Sequence, residues 1–214
     1  MLSTANTQKQ IYSAETAYQL REFAQLKRYQ VNEISAHVVN LNSPYRAEVE
    51  AFIKAVFKQA YGANLTSFMP KLVALRDANG VLMAAFGLQP ALGNRLFLEQ
   101  YIDSPIEQLV SEQLHRNIPR KEITSIGNLA VANPRNAGVL ISHVIQHCLD
   151  LGLKWSVATA HHSLQNGLIK GGRDVYALVP ADPAKLPKEE LQHWGSYYKY
   201  TPQIVAIRGV TEPL

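Results

Sequence analysis

The chain predicts an α/β fold built on a mixed, mostly antiparallel sheet flanked by helices, with one parallel pair of strands inside it. Three stretches carry that expectation. Residues 71–89 read as two apolar runs joined by Asp77-Ala-Asn-Gly80, a turn ending in a residue suited to positive φ. Residues 122–152 read as strand, turn and helix. Residues 153–160 read as a second strand, and a helical crossover from the preceding one makes the pair parallel.

Taken in order, residues 1–12 are polar and read as a tail. A helical pattern follows in Tyr18, Leu20, Phe23, Leu26 and Tyr29. We therefore expect an N-terminal tail and helix over 1–30 and a main domain over 31–214. His37-Val-Val-Asn-Leu41 reads as a short strand. Ser43-Pro44 opens a helix with Tyr45, Val49, Phe52, Ile53, Val56, Phe57 and Ala60 on one face and Gly62 past its end. Its aromatic stripe reads as core. After the hairpin, residues 96–102 read as another short β run, carrying Glu99. Ser104-Pro-Ile-Glu107 reads as a capping box, and Ile106, Leu109, Val110 and Leu114 give its helix an apolar face.

The central unit is the most informative. Residues 122–131 are β-leaning but interrupted by Gly127 and Asn128, which points to a bulge or a close backbone approach. Asn133-Pro134 is a helix start, with Asn as cap and Pro at the first position. Ala137, Leu140, Ile141, Val144, Ile145 and Cys148 follow at spacings of three and four, and Gly152 closes the helix. Arg135-Asn-Ala-Gly138 lies at its N-terminus, where free N–H groups, a guanidinium and a residue without Cβ suit an anion such as pyrophosphate. Downstream come a short helix at 161–172, a strand at 174–179, a polar Pro-broken stretch at 181–193 and a last strand at 203–208.

The chain has 214 residues and a net charge of +4, with its Lys and Arg dispersed rather than striped, which argues against a nucleic-acid partner. Cys148 is the only cysteine, so there is no disulfide framework, and its place on an apolar helix face makes it a packing residue. No apolar run reaches membrane-spanning length and the first residues lack a signal-peptide core, so we expect a cytoplasmic protein without membrane insertion.

The order of elements resembles the GNAT acyltransferase superfamily. Gly127-Asn-Leu-Ala-Val131 and residues 133–138 resemble the strand and loop that cradle the coenzyme A pyrophosphate there. Asn166-Gly-Leu-Ile-Lys-Gly-Gly172 resembles the helix and glycine turn after the next strand. Phe97-Leu-Glu-Gln-Tyr101, Pro105-Ile-Glu107, Gly127-Asn-Leu-Ala130, Ala181-Asp-Pro183 and Trp194-Gly-Ser-Tyr-Tyr198 are similar to the thermostable hemolysin family, within the acyl-homoserine-lactone synthase branch. The resemblance implies a GNAT-like α/β fold whose mixed, mostly antiparallel sheet has splayed parallel strands. It also implies acyl transfer to a small amine acceptor, from acyl-coenzyme A or from the phosphopantetheine of an acyl carrier protein. The donor would be held by Leu129, Ala130, Val131, Arg135, Asn136, Ala137, Gly138 and Asn166. Two positions depart from the family: Gln89 stands where Arg is usual and Ser125 where Glu is usual. In the synthases both positions belong to the substrate pocket.

Such a transfer needs an N–H for the thioester carbonyl and a group to take the amine proton. Candidate bases are Glu99, whose pKa burial in an apolar run would raise; Glu122, which reads better as an exposed strand-start residue; and His161, at the C-terminal end of the parallel strand. Asn128 is a candidate for orienting substrate. Tyr197 and Tyr198 read as packing residues. His161-His162 has no third ligand at a supporting spacing, so no metal is expected. A non-catalytic binding module and a lytic protein are the alternative readings; for the latter no amphipathic or barrel-like segment is evident.

Overall fold

The hairpin forms as its turn chemistry dictates. Asp77 Oδ1 accepts the N–H groups of Asn79 and Val81 at 2.9 Å each, and Gly80 sits at φ +79°. In the computed structural model, which describes residues 34–209, the hairpin strands are β2 (Lys71–Arg76) and β3 (Leu82–Pro90). Around them stand β1 (Ser35–Val39), α1 (Arg46–Tyr61), α2 (Ile106–Gln113), β4 (Ile123–Val131), α3 (Ala137–Asp150) and β5 (Trp155–Ala160), then α4 (His162–Lys170), β6 (Val175–Pro180), α5 (Lys188–Gln192) and β7 (Gln203–Arg208). The expected tail and helix over 1–30 lie outside the described residues.

The strands form one seven-stranded sheet in the order β1-β2-β3-β4-β5-β7-β6. Every neighbouring pair is antiparallel except β4 and β5, which are parallel as the intervening helix requires. Helices cover both faces. Val49, Ile53 and Phe57 of α1 pack on Leu72, Ala74 and Ala85, while the facing apolar side of α2 packs on Ile123, Trp155 and Val157. On the other face α3 and α4 meet closely: a Cβ at Gly167 would lie 2.3 Å from Ile141 Cδ1, and one at Gly171 2.4 Å from Ile145 Cδ1. Those glycines are there for contact, not for flexibility.

Two expectations are corrected. Residues Phe97–Tyr101 form a 3-10 helix, not a strand. The Ser104–Glu107 capping box does not form either: α2 has Pro105 at its N-cap with no side-chain cap. Glu99 does the capping instead, its Oε1 accepting the Ile106 N–H at 3.0 Å and its Oε2 the Leu96 N–H at 2.8 Å. Glu107 is drawn away by Arg120, 2.6 Å distant. The start of α3 is as expected, with a detail added. Asn133 Oδ1 accepts the Arg135 N–H at 3.0 Å, but Pro134–Asn136 is a 3-10 turn and the α-helix begins at Ala137.

Candidate functional site

The site begins with an irregularity in β4. Opposite β3 the pairing runs Ala85 to Ala130 and then Gly87 to Gly127, so Asn128 and Leu129 together face Phe86. This is a β-bulge, and Asn128 takes φ +49° to make it. Asn tolerates that conformation, and its Oδ1 accepts the Met69 N–H at 2.9 Å. Arg46, buried at the start of α1, donates to the carbonyls of Met69 (2.8 Å) and Pro70 (3.1 Å). The segment before β2 is therefore clamped on the bulge from two sides. The close fit explains Gly87 and Gly127, where a Cβ would lie 2.8 and 2.7 Å from Met69 side-chain atoms.

Just ahead of the bulge β4 leaves β5. The two pair only from Ile123 with Trp155 to Ser125 with Val157, although β4 continues to Val131 and β5 to Ala160. The right-handed twist of β4, sharpened by the bulge, opens a wedge whose walls are strand edges not bonded to each other. Into the wedge opens a cavity of about 340 Å³, within the range of small-molecule sites. Phe57, Tyr61, Phe68, Phe97, Tyr101, Trp194 and Tyr197 line it, with Tyr61 edge-on to Tyr197 and Phe57 edge-on to Trp194. The aromatic stripe of α1 is thus core and cavity wall at once.

The cavity gathers several residues singled out from sequence. Gln89 and Ser125 are register partners on β3 and β4 and both line it, as do Asn128, Leu129 and His161. Ala130 is instead buried in the core beneath α1. Val131 pairs with Ala84 at the end of the strand. Arg135 and Gly138 are exposed at the start of α3, Asn136 and Ala137 partly so, and a Cβ on Gly138 would meet nothing within 4 Å. Asn166 is exposed on α4.

Glu99 is the main correction. It lies outside the cavity wall, and its carboxylate is fully engaged: besides the two backbone N–H groups it takes a two-armed contact from Arg120 at 2.7 and 2.8 Å. Burial pushes its pKa up, as expected from sequence. The Arg120 hydrogen bonds and the two amides together outweigh burial and hold it at about 2. A carboxylate with no free lone pair and no affinity for a proton near neutrality does not serve as a base. Glu122 pairs with Lys154 at 3.2 Å, outside the cavity wall. His161 caps α4: its Nδ1 accepts the Leu164 N–H at 3.4 Å and lies 2.8 Å from Ser163 Oγ. Burial lowers its pKa and so favours the neutral ring; a neutral ring whose Nδ1 accepts the Leu164 N–H carries its proton on Nε2. His161 is a donor in this arrangement. Tyr197 donates to the Thr159 carbonyl at 3.2 Å, and Tyr101 and Tyr198 share a hydrogen bond. Burial raises all three phenols, Tyr198 to about 12, so they stay protonated.

Sequence reasoning missed Arg95, Ser67, Met69 and Thr159, which also line the cavity. Nothing local marks them, because they sit in loops or at a strand end and acquire a role only when remote segments converge. Among the described residues no three His, Cys, Asp or Glu side chains group as metal ligands.

A helix-covered mixed sheet with a bulged central strand, split from its parallel neighbour over a cavity, defines the GNAT-like class of folds. Residues 39–211 match the profile of the thermostable hemolysin family, and the chain belongs to that family. Among solved structures it is similar to BjaI, a CoA-dependent acyl-homoserine lactone synthase solved with SAM and isopentyl-CoA (TM-score 0.53, 14% identity, covering 82% of this chain and 83% of that one). It is also similar to TofI in a ternary complex with an inhibitor and MTA (0.51, 13%, 82% and 91%). A third similar structure is FeeM, an N-acyl amino acid synthase from uncultured soil microbes (0.50, 11%, 81% and 88%). At such identities the likeness is one of fold. No curated protein matches the chain.

Proposed function

We propose that this protein is an N-acyltransferase that moves an acyl group from a pantetheine thioester, carried by coenzyme A or by an acyl carrier protein, to an amine. One observation carries the reading: the wedge between β4 and β5 holds the Asn128 bulge on its β4 side and opens into an aromatic cavity. An extended pantetheine arm has amides that complement the open strand edges, much as an added strand would. The exposed start of α3, with Arg135 beside Gly138, suits the phosphates of either carrier. Asn166, on the outer surface of α4, stands as a further donor contact. The molecules named for BjaI and FeeM, a bound isopentyl-CoA and an N-acyl amino acid product, belong to the same chemistry. Such donors are made in the cytoplasm, which is where we place the protein.

In this reading the thioester carbonyl lies against backbone N–H groups near Leu129 at the bulge, where negative charge develops during attack. The amine nitrogen bonds to the acyl carbon and the carbon–sulfur bond breaks. Counted from the ammonium form of the acceptor, two protons leave: one passes to water, since no carboxylate lines the cavity among the described residues, and the other goes to the departing thiolate, which leaves as thiol. His161 contributes its Nε2–H as a donor, and Asn128 holds the bulge rather than touching the proton. Positioning and electrostatics supply most of the rate. A binding-only role is favoured by one feature, the neutral Gln89 and Ser125 where the family usually places charge. A thiol-release assay over acyl-CoA and acyl-carrier donors with a panel of amines separates the two. Release that depends on the amine supports the transferase, and donor binding without release from any pair supports the binding module.

A further inference from the structure

Arg95 lines the cavity with its charge uncompensated. It is exposed, and among the described residues its guanidinium makes no hydrogen bond or ion pair. Its backbone is anchored on both sides: Arg120 Nη2 donates to the Asn94 carbonyl at 2.6 Å, and Glu99 Oε2 accepts the Leu96 N–H at 2.8 Å. Glu99, Glu107 and Asp103 share a shallow outer depression with Arg95, but the first two are paired with Arg120 and the third with Lys185. Toward the cavity no acid answers the charge. Gln89 and Ser125, both lining it, add an amide and a hydroxyl that no described residue engages. A cavity lining with one guanidinium unpaired among the described residues, neutral polar side chains and no carboxylate is mismatched to a cationic acceptor and matched to an anionic one.

We infer that the acceptor amine carries a carboxylate, as an α-amino acid does, and that Arg95 binds that carboxylate. This rests on the N-acyltransferase reading above and names its second substrate. The guanidinium fork fits a carboxylate through two parallel hydrogen bonds. The amino group then attacks the acyl carbon: the C–N bond forms and the C–S bond breaks. Of the two protons the ammonium loses, one leaves on the thiol and one in water, and the carboxylate is unchanged. The product is an N-acyl amino acid.

The test compares acids with their own amides, which differ only in the group Arg95 is to read. Full-length protein and R95Q are assayed for thiol release from acyl-CoA with acidic, apolar and aromatic amino acids and the matching amino acid amides. In parallel, N-acyl amino acids and N-acyl amino acid amides are titrated calorimetrically into both proteins. We expect a preference for the acid of roughly ten- to hundredfold, in kcat/KM or product affinity, falling to about one in R95Q with the melting temperature unchanged. Amides used as well as acids, or a preference that survives in R95Q, would overturn the inference and leave the acyltransferase reading standing. Should no acceptor release thiol, the catalytic reading fails and the titration alone decides. Equal affinity for acid and amide, or binding of neither, overturns the carboxylate site.

Discussion

Glu99 accepts hydrogen bonds from the Leu96 and Ile106 amides and from both arms of Arg120, so protonating it removes a charge on which four donors converge. The sign follows from its pKa of about 2, below the usual 4.5. The stabilisation is fully present above pH 4.5 and disappears as pH falls toward 2. At neutral pH it is about 3 kcal/mol. We expect Glu99→Gln to lower the unfolding free energy by about that amount at pH 7 and to remove the matching part of the acid-limb slope, as measured by urea titrations across pH. An unchanged slope in the variant would show that Glu99 is not the anchor. The sequence could not reveal this, because the partner lies 21 positions away. In isolation, a carboxylate among apolar residues is expected to have a raised pKa, and burial does push that way. Arg95 escaped notice for the complementary reason: its significance is the lack of a partner among the described residues, which only the folded surroundings expose.

Among the elements, the turn from β4 into α3 was legible because its signals are local. An Asn cap, a Pro at the first position and an apolar stripe act within a few residues of one another. Gly138 sits in the first turn of α3 with open space where a Cβ would be. We expect Gly138→Glu to leave the fold intact, an acid at a helix start being favourable, while repelling phosphates there. Coenzyme A at about a hundred times its dissociation constant should add about 2.7 kcal/mol to the wild type, raising its melting temperature by roughly 5–10 °C. The variant should show no rise; an equal rise would place the phosphates elsewhere. The segment Phe97–Tyr101 was misread because a short run of apolar and aromatic residues mimics a strand. It has no strand to pair with, and the Glu99 side chain folds back on the Leu96 amide, tightening it into a 3-10 turn.

For the molecule as a whole, the family's name invites a test of lysis. Among the described residues no helix is long and apolar enough to cross a membrane. Strands β2 and β7 each bury four consecutive residues, so both faces of the sheet are covered. Strands of a membrane barrel alternate lipid-facing and lumen-facing residues instead. We expect no dye release from liposomes at low micromolar protein, and release well above buffer controls would refute that. Apart from Phe97–Tyr101 and the short helix α5, the sequence by itself determined the order of strands and helices, with the parallel crossover, the interruption at Gly127-Asn128 and the helix start at Asn133-Pro134, since periodicity, caps and turn residues act over short range. Only the tertiary structure decided that Glu99 is an anchor, that His161 caps α4 at the cavity, and that Arg95, unpaired among the described residues, lines the same cavity as Gln89 and Ser125. Those properties depend on charges and hydrogen-bond partners brought together from distant parts of the chain, and no local pattern encodes them.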